Sequence, residues 1–331
     1  MKRVLITGVG GGVGQSVLKS FQGSTYETIG TDASPLATGL YTATRGYLVP
    51  MSNDPIYIDH IIDLCRKEDV RILFPGMEED VKSFAANTDR MRAAGLIPVV
   101  SSPMVVAIAD DKLKTARFLE ENAFPFPVTH RLSDDASSAM PLPLILKPML
   151  GGARSKGVYK VTTREQFERL RAQLDPFAYV AQEYIEGDEY TCGTVNFDGR
   201  CHGAILMRRD LRDGDTYRAF VVNDPALESH VRKLAEALQP FGPCNFQIRI
   251  RDGVPYLFEI NARCSGTTGC RSLAGFNEPI MTANYLLENI PPHYEIRPIS
   301  ILRYWKELVV ENDQIAWTRE HRATKGSVGE L

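Results

Sequence analysis

The chain lacks the cysteine and histidine patterns that mark zinc proteins and disulfide-stapled secreted domains. Its six cysteines include no CxxC pair and are spread along 331 residues: Cys65, Cys192, Cys201, Cys244, Cys264 and Cys270. Neither a zinc site nor a disulfide framework is indicated. The six histidines lie in no cluster. We therefore expect reduced thiols and a cytoplasmic location.

The chain also lacks an excess of charge and any long apolar run. Lys and Arg number 38 against 41 Asp and Glu, a net charge of −3, which offers no general attraction to nucleic acid or to a membrane. No apolar stretch approaches the length that crosses a bilayer. Only Val4-Leu5-Ile6 separates Met1-Lys2-Arg3 from Thr7 and the glycines, so no signal peptide is expected. The length predicts two domains or three.

The first hundred residues alternate short buried strands with helical segments. Strands are predicted at Val4–Thr7, Thr28–Thr31, Ile72–Phe74 and Ile97–Val100. Helices are predicted at Gly12–Phe21, Tyr57–Lys67 and Glu79–Ala94. This alternation is typical of a parallel sheet flanked by helices.

The pattern changes after Phe124-Pro125-Phe126-Pro127, which breaks the chain. Longer strands joined by hairpins are then predicted at Leu144–Lys147, Val158–Val161, Tyr179–Glu183, Tyr190–Asn196, Cys201–Leu206, Cys244–Ile250 and Tyr256–Ile260. Helices are predicted at Thr163–Leu174 and at Pro225–Leu238, with Asp224 as N-cap. The second unit is therefore expected to be α+β with antiparallel pairing. The last dozen residues are predicted to be a frayed tail.

A glycine-rich turn follows the first strand and opens the first helix. Gly8, Gly11 and Gly14 are spaced as in phosphate-binding turns, and Asp32 ends the next strand, where a ribose-binding acid belongs in dinucleotide sites. Val13 stands where the third glycine of GxGxxG belongs. Two interpretations stay open: a turn kept for strand–helix packing, and the NAD(P) site of an oxidoreductase or epimerase.

Two further stretches have the chemistry of a nucleotide site. Lys147 ends an apolar strand and precedes a glycine loop, 151–157, with hydroxyl and basic groups suited to polyphosphate. A plain surface loop fits as well. In 180–190 the extended backbone at Glu183 and Ile185 suits an adenine edge, and Glu189 suits ribose hydroxyls. An acidic surface loop is the alternative there.

The stretch 244–263 predicts a β-hairpin turning at Asp252-Gly253. A three-residue loop, with Gly253 left-handed and a one-residue bulge, places Gln247 and Glu259 on one face. The apolar face is then expected to hold Phe246, Ile248, Ile250, Tyr256, Phe258 and Ile260. The other face carries Gln247, Arg249, Glu259, Asn261 and Arg263. This face fits either a magnesium–phosphate site or the solvent side of an ordinary hairpin.

The order of these pieces resembles the ATP-grasp superfamily, most closely its carbamoyl-phosphate-synthase-large-subunit-like branch. The pieces are the lysine of Asp110-Asp111-Lys112, Lys147 with its loop, Gln182 to Glu189, and Gln247 to Arg263. The resemblance implies an α/β chain: a Rossmann-like pre-ATP-grasp domain over 1–108 and an α+β ATP-grasp domain over 109–290. The latter divides near residue 180, and 291–331 forms a C-terminal extension.

The resemblance also implies roles for individual residues. Lys112 and Lys147 would contact ATP phosphates beneath a flap that holds Gly151, Gly152, Ser155 and Gly157. Gln182, Glu183 and Ile185 would line the adenine pocket, and Glu189 would hold ribose. Gln247, Glu259 and Asn261 would bind two magnesium ions, or manganese. Lys147 and Arg263 would be the catalytic residues, with Arg263 on the transferring phosphate or the acyl phosphate.

The implied reaction is ADP-forming ligation of a carboxylate to an amine through an acyl phosphate. Its small-molecule substrates are expected at an arginine-rich loop, Met207–Ala219, and at Cys264–Arg271. A solvated basic loop is the alternative interpretation of the arginine-rich segment. Arg208, Arg218 and Ser265 are the candidate substrate contacts. A homodimer is expected by analogy. An ATP-binding sensor without turnover is a further alternative.

Overall fold

The computed structural model describes residues 2–152 and 155–331 and begins with a five-stranded parallel sheet. Its strands are β1 (Lys2–Ile6), β2 (Tyr26–Asp32), β3 (Arg45–Leu48), β4 (Ile72–Phe74) and β5 (Ile97–Pro98), in the order β3-β2-β1-β4-β5. All neighbouring pairs are parallel, which confirms the Rossmann-like sheet. β3 was not predicted, because Arg-Gly-Tyr-Leu contains no apolar run.

Helices cover both faces of this sheet and lead into the second unit. They are α1 (Gly12–Phe21), α2 (Tyr57–Glu68), α3 (Glu78–Ala86), α4 (Thr88–Ala93), α5 (Pro103–Asp110) and α6 (Lys112–Glu121). The predicted helix Glu79–Ala94 is two helices, because Asn87 leaves helical geometry (φ −117°, ψ 16°). Its side-chain amide donates to the carbonyl of Ser83 instead. The predicted domain limit at 108 falls inside α5, and the limits stay a prediction.

The second unit contains two antiparallel sheets. The first has four strands, β6 (Thr129–Arg131), β7 (Leu144–Pro148), β8 (Tyr159–Val161) and β9 (Tyr179–Glu183), in the order β6-β9-β7-β8. The second has six, β10 (Glu189–Phe197), β11 (Arg200–Arg212), β12 (Asp215–Val221), β13 (Gly242–Arg251), β14 (Val254–Asn261) and β15 (Ser300–Leu302), in the order β14-β13-β10-β11-β12-β15. The predicted α+β unit is confirmed.

Six helices accompany these sheets: α7 (Asp135–Ala139), α8 (Arg164–Gln173), α9 (Pro225–Leu238), α10 (Thr268–Leu273), α11 (Glu278–Glu288) and α12 (Asn312–His321). The Asp224 carboxylate caps α9 as predicted, accepting from the amides of Ala226 and Leu227. The apolar side of α9 packs on buried Phe246 and Ile248 of β13. Because side chains alternate along a strand, the polar residues between them face the opposite way. That opposite face forms one wall of the site.

The β13–β14 hairpin differs from its predicted form in the position of the bulge. Arg251 pairs with Val254, so Asp252-Gly253 is a two-residue loop, and both residues are left-handed (φ 53° and 76°). The predicted three-residue loop is therefore wrong. The register instead shifts where Gln247 pairs with Glu259, and this bulge puts the two side chains on one face after all.

The bulge also changes which residues reach the core. Leu257 is fully buried beside Phe246 and Ile248, while Phe258 lines the cavity on the polar side. The predicted apolar face, which included Tyr256 and Phe258, is wrong at these two positions. A bulge adds one unpaired residue and reverses the alternation beyond it.

Two other segments are more ordered than predicted. Met207–Ala219 is not a loop, because β11 continues to Arg212 and pairs with β12 after a short turn. The C-terminal residues are not frayed either. Helix α12 is followed by a chain that donates from Thr324 to Gly46 and from Val328 to Tyr41. This tail covers the free edge of β3. Within the described ranges no helix is long and apolar enough to cross a membrane.

Candidate active site

A cavity of about 660 Å³ opens between the parallel-sheet unit and the two antiparallel sheets. It brings together most of the predicted site residues: Lys112, Lys147, Gly151, Gly152, Ser155, Gln182, Glu183, Ile185, Glu189, Gln247, Glu259, Asn261, Arg263 and Ser265. Gly157, Arg208 and Arg218 do not line it. Residues from opposite ends of the chain, Gly10–Val13 and Gly266, also line it. The fold therefore brings most of the predicted site residues together in one cavity.

Lys147 is a buried cation on the floor of this cavity. It lies on β7, is 7% exposed, and donates from Nζ to the carbonyl oxygen of Phe258 at 3.2 Å. Burial lowers the pKa of Lys147 to about 8, and the repulsion of Lys112 adds to that effect. The attraction of Glu259 opposes it. An anion placed beside Lys147 would return the stabilisation that the amine lost on leaving water.

Lys112 and the predicted flap are in contact. Lys112 begins α6, is buried, and its Nζ donates to the carbonyl of Gly151. The amide of Gly151 donates to the Asp110 carboxylate at 3.0 Å. Gly151 and Ser155 have left-handed backbones (φ 60° and 53°), the geometry of a tight, glycine-favouring turn. Ala153 and Arg154 of the predicted flap lie outside the described residues.

Gly157 ends the flap against the four-stranded sheet and does not reach the cavity. Its backbone is left-handed (φ 73°), and a Cβ there would lie 2.8 Å from the Tyr179 hydroxyl. Close packing, rather than ligand contact, explains glycine at this position.

The predicted adenine pocket is built from β9 and the connector to β10. The Gln182 side chain is 6% exposed and donates to the Thr129 hydroxyl at 2.9 Å. The Glu183 carboxylate pairs with Arg251 at 2.7 Å, and the carbonyl of Ile185 accepts from Arg249 at 3.3 Å. These bonds hold the strand that would face a base.

Glu189, the predicted ribose ligand, is held by two arginines. One carboxylate oxygen accepts from Arg209 at 2.6 Å and the other from Arg249 at 2.7 Å. The carboxylate is 9% exposed and lines the cavity. Each oxygen also accepts a second bond from the Nε of the same arginine, at 2.9 and 3.2 Å. The lone-pair sites of the carboxylate are therefore occupied, and a ribose hydroxyl would have to displace one of these bonds.

The predicted metal face is assembled around Glu259. Its Oε1 accepts from Asn261 Nδ2 at 3.2 Å and from Gln247 Nε2 at 3.5 Å. Among the described residues no group of three or more His, Cys, Asp or Glu side chains could hold a metal. One carboxylate and two amides nevertheless fit magnesium when nucleotide phosphates supply the remaining ligands. The amides present nitrogen to Glu259 here, and cation binding requires them to present oxygen.

Arg263 connects the two units at the edge of this face. It follows β14, and its guanidinium pairs with Glu78 at the start of α3 at 2.9 Å. A second bond runs to the carbonyl of Cys264 at 2.8 Å. Arg263 therefore lines the cavity with part of its charge already balanced.

Two family models match this chain. Residues 176–307 match "ATP-grasp in the biosynthetic pathway with Ter operon". Residues 4–100 match the PylC-like N-terminal domain. The first match covers β9 and all six strands of the six-stranded sheet. The second covers the parallel sheet.

Curated relatives match over most of the chain or over half of it. The carbamoyl phosphate synthase large chain of Archaeoglobus fulgidus is 25% identical over 302 residues, which cover 80% of this chain and 27% of the relative. The D-alanine–D-alanine ligase of Delftia acidovorans is 28% identical over 192 residues, covering 50% and 58%. The chain thus spans about a quarter of the length of the carbamoyl phosphate synthase chains it matches.

Solved structures share the fold across nearly the whole chain. The ADP complex of purK, an N5-carboxyaminoimidazole ribonucleotide synthetase, has a TM-score of 0.74 at 13% identity and covers 90% of this chain and 79% of its own. The L-amino acid ligase from Bacillus licheniformis has a TM-score of 0.69 at 18% identity, covering 91% and 78%. Residues 176–307 thus match an ATP-grasp family model, and the chain shares the fold of these solved structures.

The predicted substrate arginines are placed differently from Ser265. Arg208 pairs with Asp210 at 3.2 Å and stacks over Phe220, and Arg218 lies over the Tyr217 ring. Both are outside the cavity lining. Arg209, the next residue after Arg208 on β11, does line the cavity, because alternate residues of a strand face opposite sides. The prediction of a loop over Met207–Ala219 did not include this alternation.

Sequence reasoning missed a buried polar network behind Ser265. Arg271 and Glu278 form a fully buried ion pair at 2.8 Å. The remaining guanidinium donors serve the hydroxyls of Ser265, Thr267 and Thr268 and the side-chain oxygen of Asn245. The hydroxyl-rich run before Arg271 is the sequence signal, but it does not reveal that Asn245 lies beside it.

The glycine turn of the pre-ATP-grasp domain is internally bonded. The Asp32 carboxylate accepts from the amides of Gly10 at 2.8 Å and Ser34 at 2.9 Å, so it is already engaged where a ribose would bind. A Cβ on Gly14 would lie 2.3 Å from the carbonyl oxygen of Gly8. Close packing therefore accounts for Gly14, while Gly10–Val13 face the cavity.

Proposed function

We propose that this chain is an ATP-dependent carboxylate–amine ligase that forms an acyl phosphate and releases ADP. The observation that carries the proposal is the convergence of buried cations and a metal-type face on one cavity. Lys112 and Lys147 contribute the cations, and Glu259 with its two amides contributes the face. The names of relatives, among them an L-amino acid ligase and a D-alanine–D-alanine ligase, agree with this class.

The proposed reaction has two steps. A carboxylate oxygen of the first substrate attacks the γ-phosphorus of ATP, the bond to the β,γ-bridging oxygen breaks, and ADP leaves. The amine of the second substrate then attacks the acyl carbon, phosphate leaves with its oxygen, and the amine loses a proton. In such transfers the protein mainly positions groups and neutralises charge.

Lys147 and the flap are assigned that neutralising role. With a pKa of about 8, Lys147 is mostly protonated at neutral pH. Its desolvated ammonium then interacts with a phosphate more strongly than an exposed lysine does. Lys112 already bonds to the flap at Gly151, so phosphates that bind beneath the flap would meet both cations. Arg263 stands at the side where the acyl phosphate would form.

Bound magnesium would supply additional charge neutralisation between the phosphates. Glu259 is the residue assigned to hold it, with Asn261 and Gln247 as amide ligands. The number of ions, and manganese as a substitute, are part of the proposal. The substrates are assigned only as a small carboxylate and a small amine.

Thermal unfolding with ATP and magnesium tests nucleotide binding directly. We expect ATP with magnesium to raise the melting temperature because a ligand that binds only the folded state stabilises it. Glu259→Ala should abolish this shift. Glu186→Ala removes an exposed acid from the neighbouring connector and is the matched control. An equal shift in both variants would contradict the assignment of Glu259.

ADP release with a panel of amino acids and sugar acids tests turnover. Release that requires one carboxylate and one amine supports the ligase. ATP binding without ADP release from any mixture would indicate a sensor instead. Stabilisation by NAD(P) but not by ATP would indicate the dinucleotide alternative, since Gly10–Val13 line the same cavity. A homodimer and a cytoplasmic location stay predictions.

A further inference from the structure

The base of the flap lies against the junction between α5 and α6. The amide of Lys112 donates to the carbonyl of Met149 at 3.0 Å, and Asp111 forms an isolated antiparallel bridge with Leu150. These contacts hold the two residues that follow β7. Gly151 is the next residue, and the flap begins there. The direction in which the flap leaves β7 therefore depends on the bonds that hold the peptide groups of Gly151.

Both peptide groups of Gly151 are bonded to side chains of this junction. The amide donates to Asp110 Oδ1 at 3.0 Å, and the carbonyl accepts from Lys112 Nζ. A bound nucleotide would affect the two bonds differently. Its phosphates would compete with the carbonyl of Gly151 for the ammonium of Lys112, because a charged oxygen is the stronger acceptor. A carboxylate does not attract phosphate, so the bond from Gly151 to Asp110 is the one that we expect to persist.

Asp110 would repel the phosphates of a nucleotide unless its charge were balanced. It precedes Lys112 by two positions, and its side chain is only 10% exposed, so solvent screens its charge weakly. Lys82 of α3 provides a counter-charge, because its Nζ lies 2.9 Å from Asp110 Oδ2. The other carboxylate oxygen, Oδ1, accepts from Gly151. One carboxylate thus joins a cation of the parallel-sheet unit to the first residue of the flap.

Helix α3 meets the second unit through two ion pairs on one of its faces. Glu78 and Lys82 are four residues apart, which is the spacing of neighbours on a helix face. Glu78 pairs with Arg263 at 2.9 Å, and Lys82 pairs with Asp110 at the same distance. Lys82 also lines the cavity, so two roles are open to it: direct contact with phosphate, and neutralisation of Asp110. The existing ion pair with Asp110 favours the second role.

We propose that Asp110 and Lys82 are positioning residues for the flap. Asp110 anchors the base of the flap at the amide of Gly151. Lys82 neutralises Asp110, so that the anchor does not repel a triphosphate bound beneath the flap. The parallel-sheet unit thereby contributes to nucleotide binding through α3 rather than through its glycine turn. The role of Lys82 rests on the proposed ATP-dependent function, whereas the anchor at Asp110 can be tested without ATP.

Tryptic cleavage after Lys156, an exposed residue of the flap, tests the anchor in the protein without ATP. Asp110→Ala removes the acceptor of the Gly151 amide, and we expect cleavage there to be faster by about five-fold or more. Asp110→Asn keeps an oxygen for that amide and is the matched control, with a rate within about two-fold of the wild type. Wild-type cleavage of Asp110→Ala would overturn the anchor. Equally fast cleavage of both variants would overturn it too, since charge rather than the hydrogen bond would then hold the flap.

Calorimetric titration with ATP and magnesium tests the role of Lys82 and does not require Asp110→Ala to fold. We expect Lys82→Met to raise the Kd for ATP by about five-fold or more, because the charge of Asp110 is then unbalanced beside the phosphates. In an Asp110→Asn background the same change should alter the Kd by less than about two-fold, because no charge is left to neutralise. Lys114→Met removes an exposed lysine and controls for the loss of one positive charge. An equal loss of affinity in both backgrounds would indicate direct contact between Lys82 and phosphate and would overturn the positioning role.

The two experiments separate a failure of this inference from a failure of the proposed function. If the wild type does not bind ATP with magnesium, the proposed function and the role of Lys82 fail together, and the cleavage rates alone decide whether Asp110 anchors the flap. If the wild type and Lys82→Met bind ATP with equal affinity, the proposed function stands and the role of Lys82 is refuted.

Discussion

The buried ammonium of Lys147 leads to a prediction in which stability and ligand binding change in opposite directions. Burial lowers the pKa of this lysine from 10.5 to about 8. Each pKa unit corresponds to about 1.4 kcal/mol, so keeping Lys147 charged costs the folded protein about 3 kcal/mol. Lys147→Met keeps most of the aliphatic stem and removes the charge. We expect the ATP-free variant to be more stable than the wild type by up to about that amount near neutral pH.

The pH dependence gives the sign of the effect. Between about pH 8 and pH 10.5 the unfolded lysine still holds a proton that the folded lysine has lost. The stability of the wild type should therefore rise through this window. Below about pH 8 both forms are protonated, and the full cost remains. The advantage of Lys147→Met should thus be greatest below pH 8 and vanish near pH 10.5.

Urea unfolding of wild type and Lys147→Met across this pH range measures the difference. Lys114→Met, an exposed lysine of α6, controls for general effects of removing a charge. The rise in melting temperature caused by ATP with magnesium should be lost in Lys147→Met and kept in Lys114→Met. Two results would refute the argument that Lys147 is a desolvated cation that binds an anion. One is a Lys147→Met variant less stable than the wild type at neutral pH, and the other is a stability difference between the two proteins that does not depend on pH.

Two further predictions concern the structure around the site. Gly193→Ala would place a Cβ 2.4 Å from Arg271 Nε and 2.6 Å from Glu278 Oε1, so we expect the buried pair to separate at a cost of about 3–5 kcal/mol in urea unfolding. Gly253→Ala, whose Cβ meets nothing within 4 Å, should lose only about 1–2 kcal/mol for its left-handed backbone; similar losses at the two sites would contradict the packing at Gly193. Ending the chain after His321 removes the strand-like tail from β3 and the partly buried Val328 and Leu331, and should lower stability by about 2 kcal/mol. An unchanged unfolding midpoint would show that the tail does not pack in solution.

The β13–β14 hairpin shows which features a local sequence pattern predicts and which features depend on tertiary packing. Alternation and the Asp252-Gly253 pair predicted two strands, and the shared face of Gln247 and Glu259 was correct. The predicted position of the bulge was wrong. An extra residue in the turn and an extra residue at Phe258 both put Gln247 and Glu259 on the same face, so the face pattern alone does not locate the bulge. The packing of Leu257 into the core is what distinguishes a bulge at Phe258 from a bulge in the turn.

The sequence by itself determined the alternation of the first unit, the helix starts at Thr163 and Asp224, and the order of lysine, glycine loop and acidic residues that resembles the ATP-grasp superfamily. These are local properties, set by periodicity, capping and spacing. Tertiary structure decided which arginine of β11 faces the cavity, where the C-terminal tail packs, and that Ser265 and Asn245 line the same cavity as the start of α1. Such meetings depend on contacts between residues that are hundreds of positions apart, and no local pattern records them.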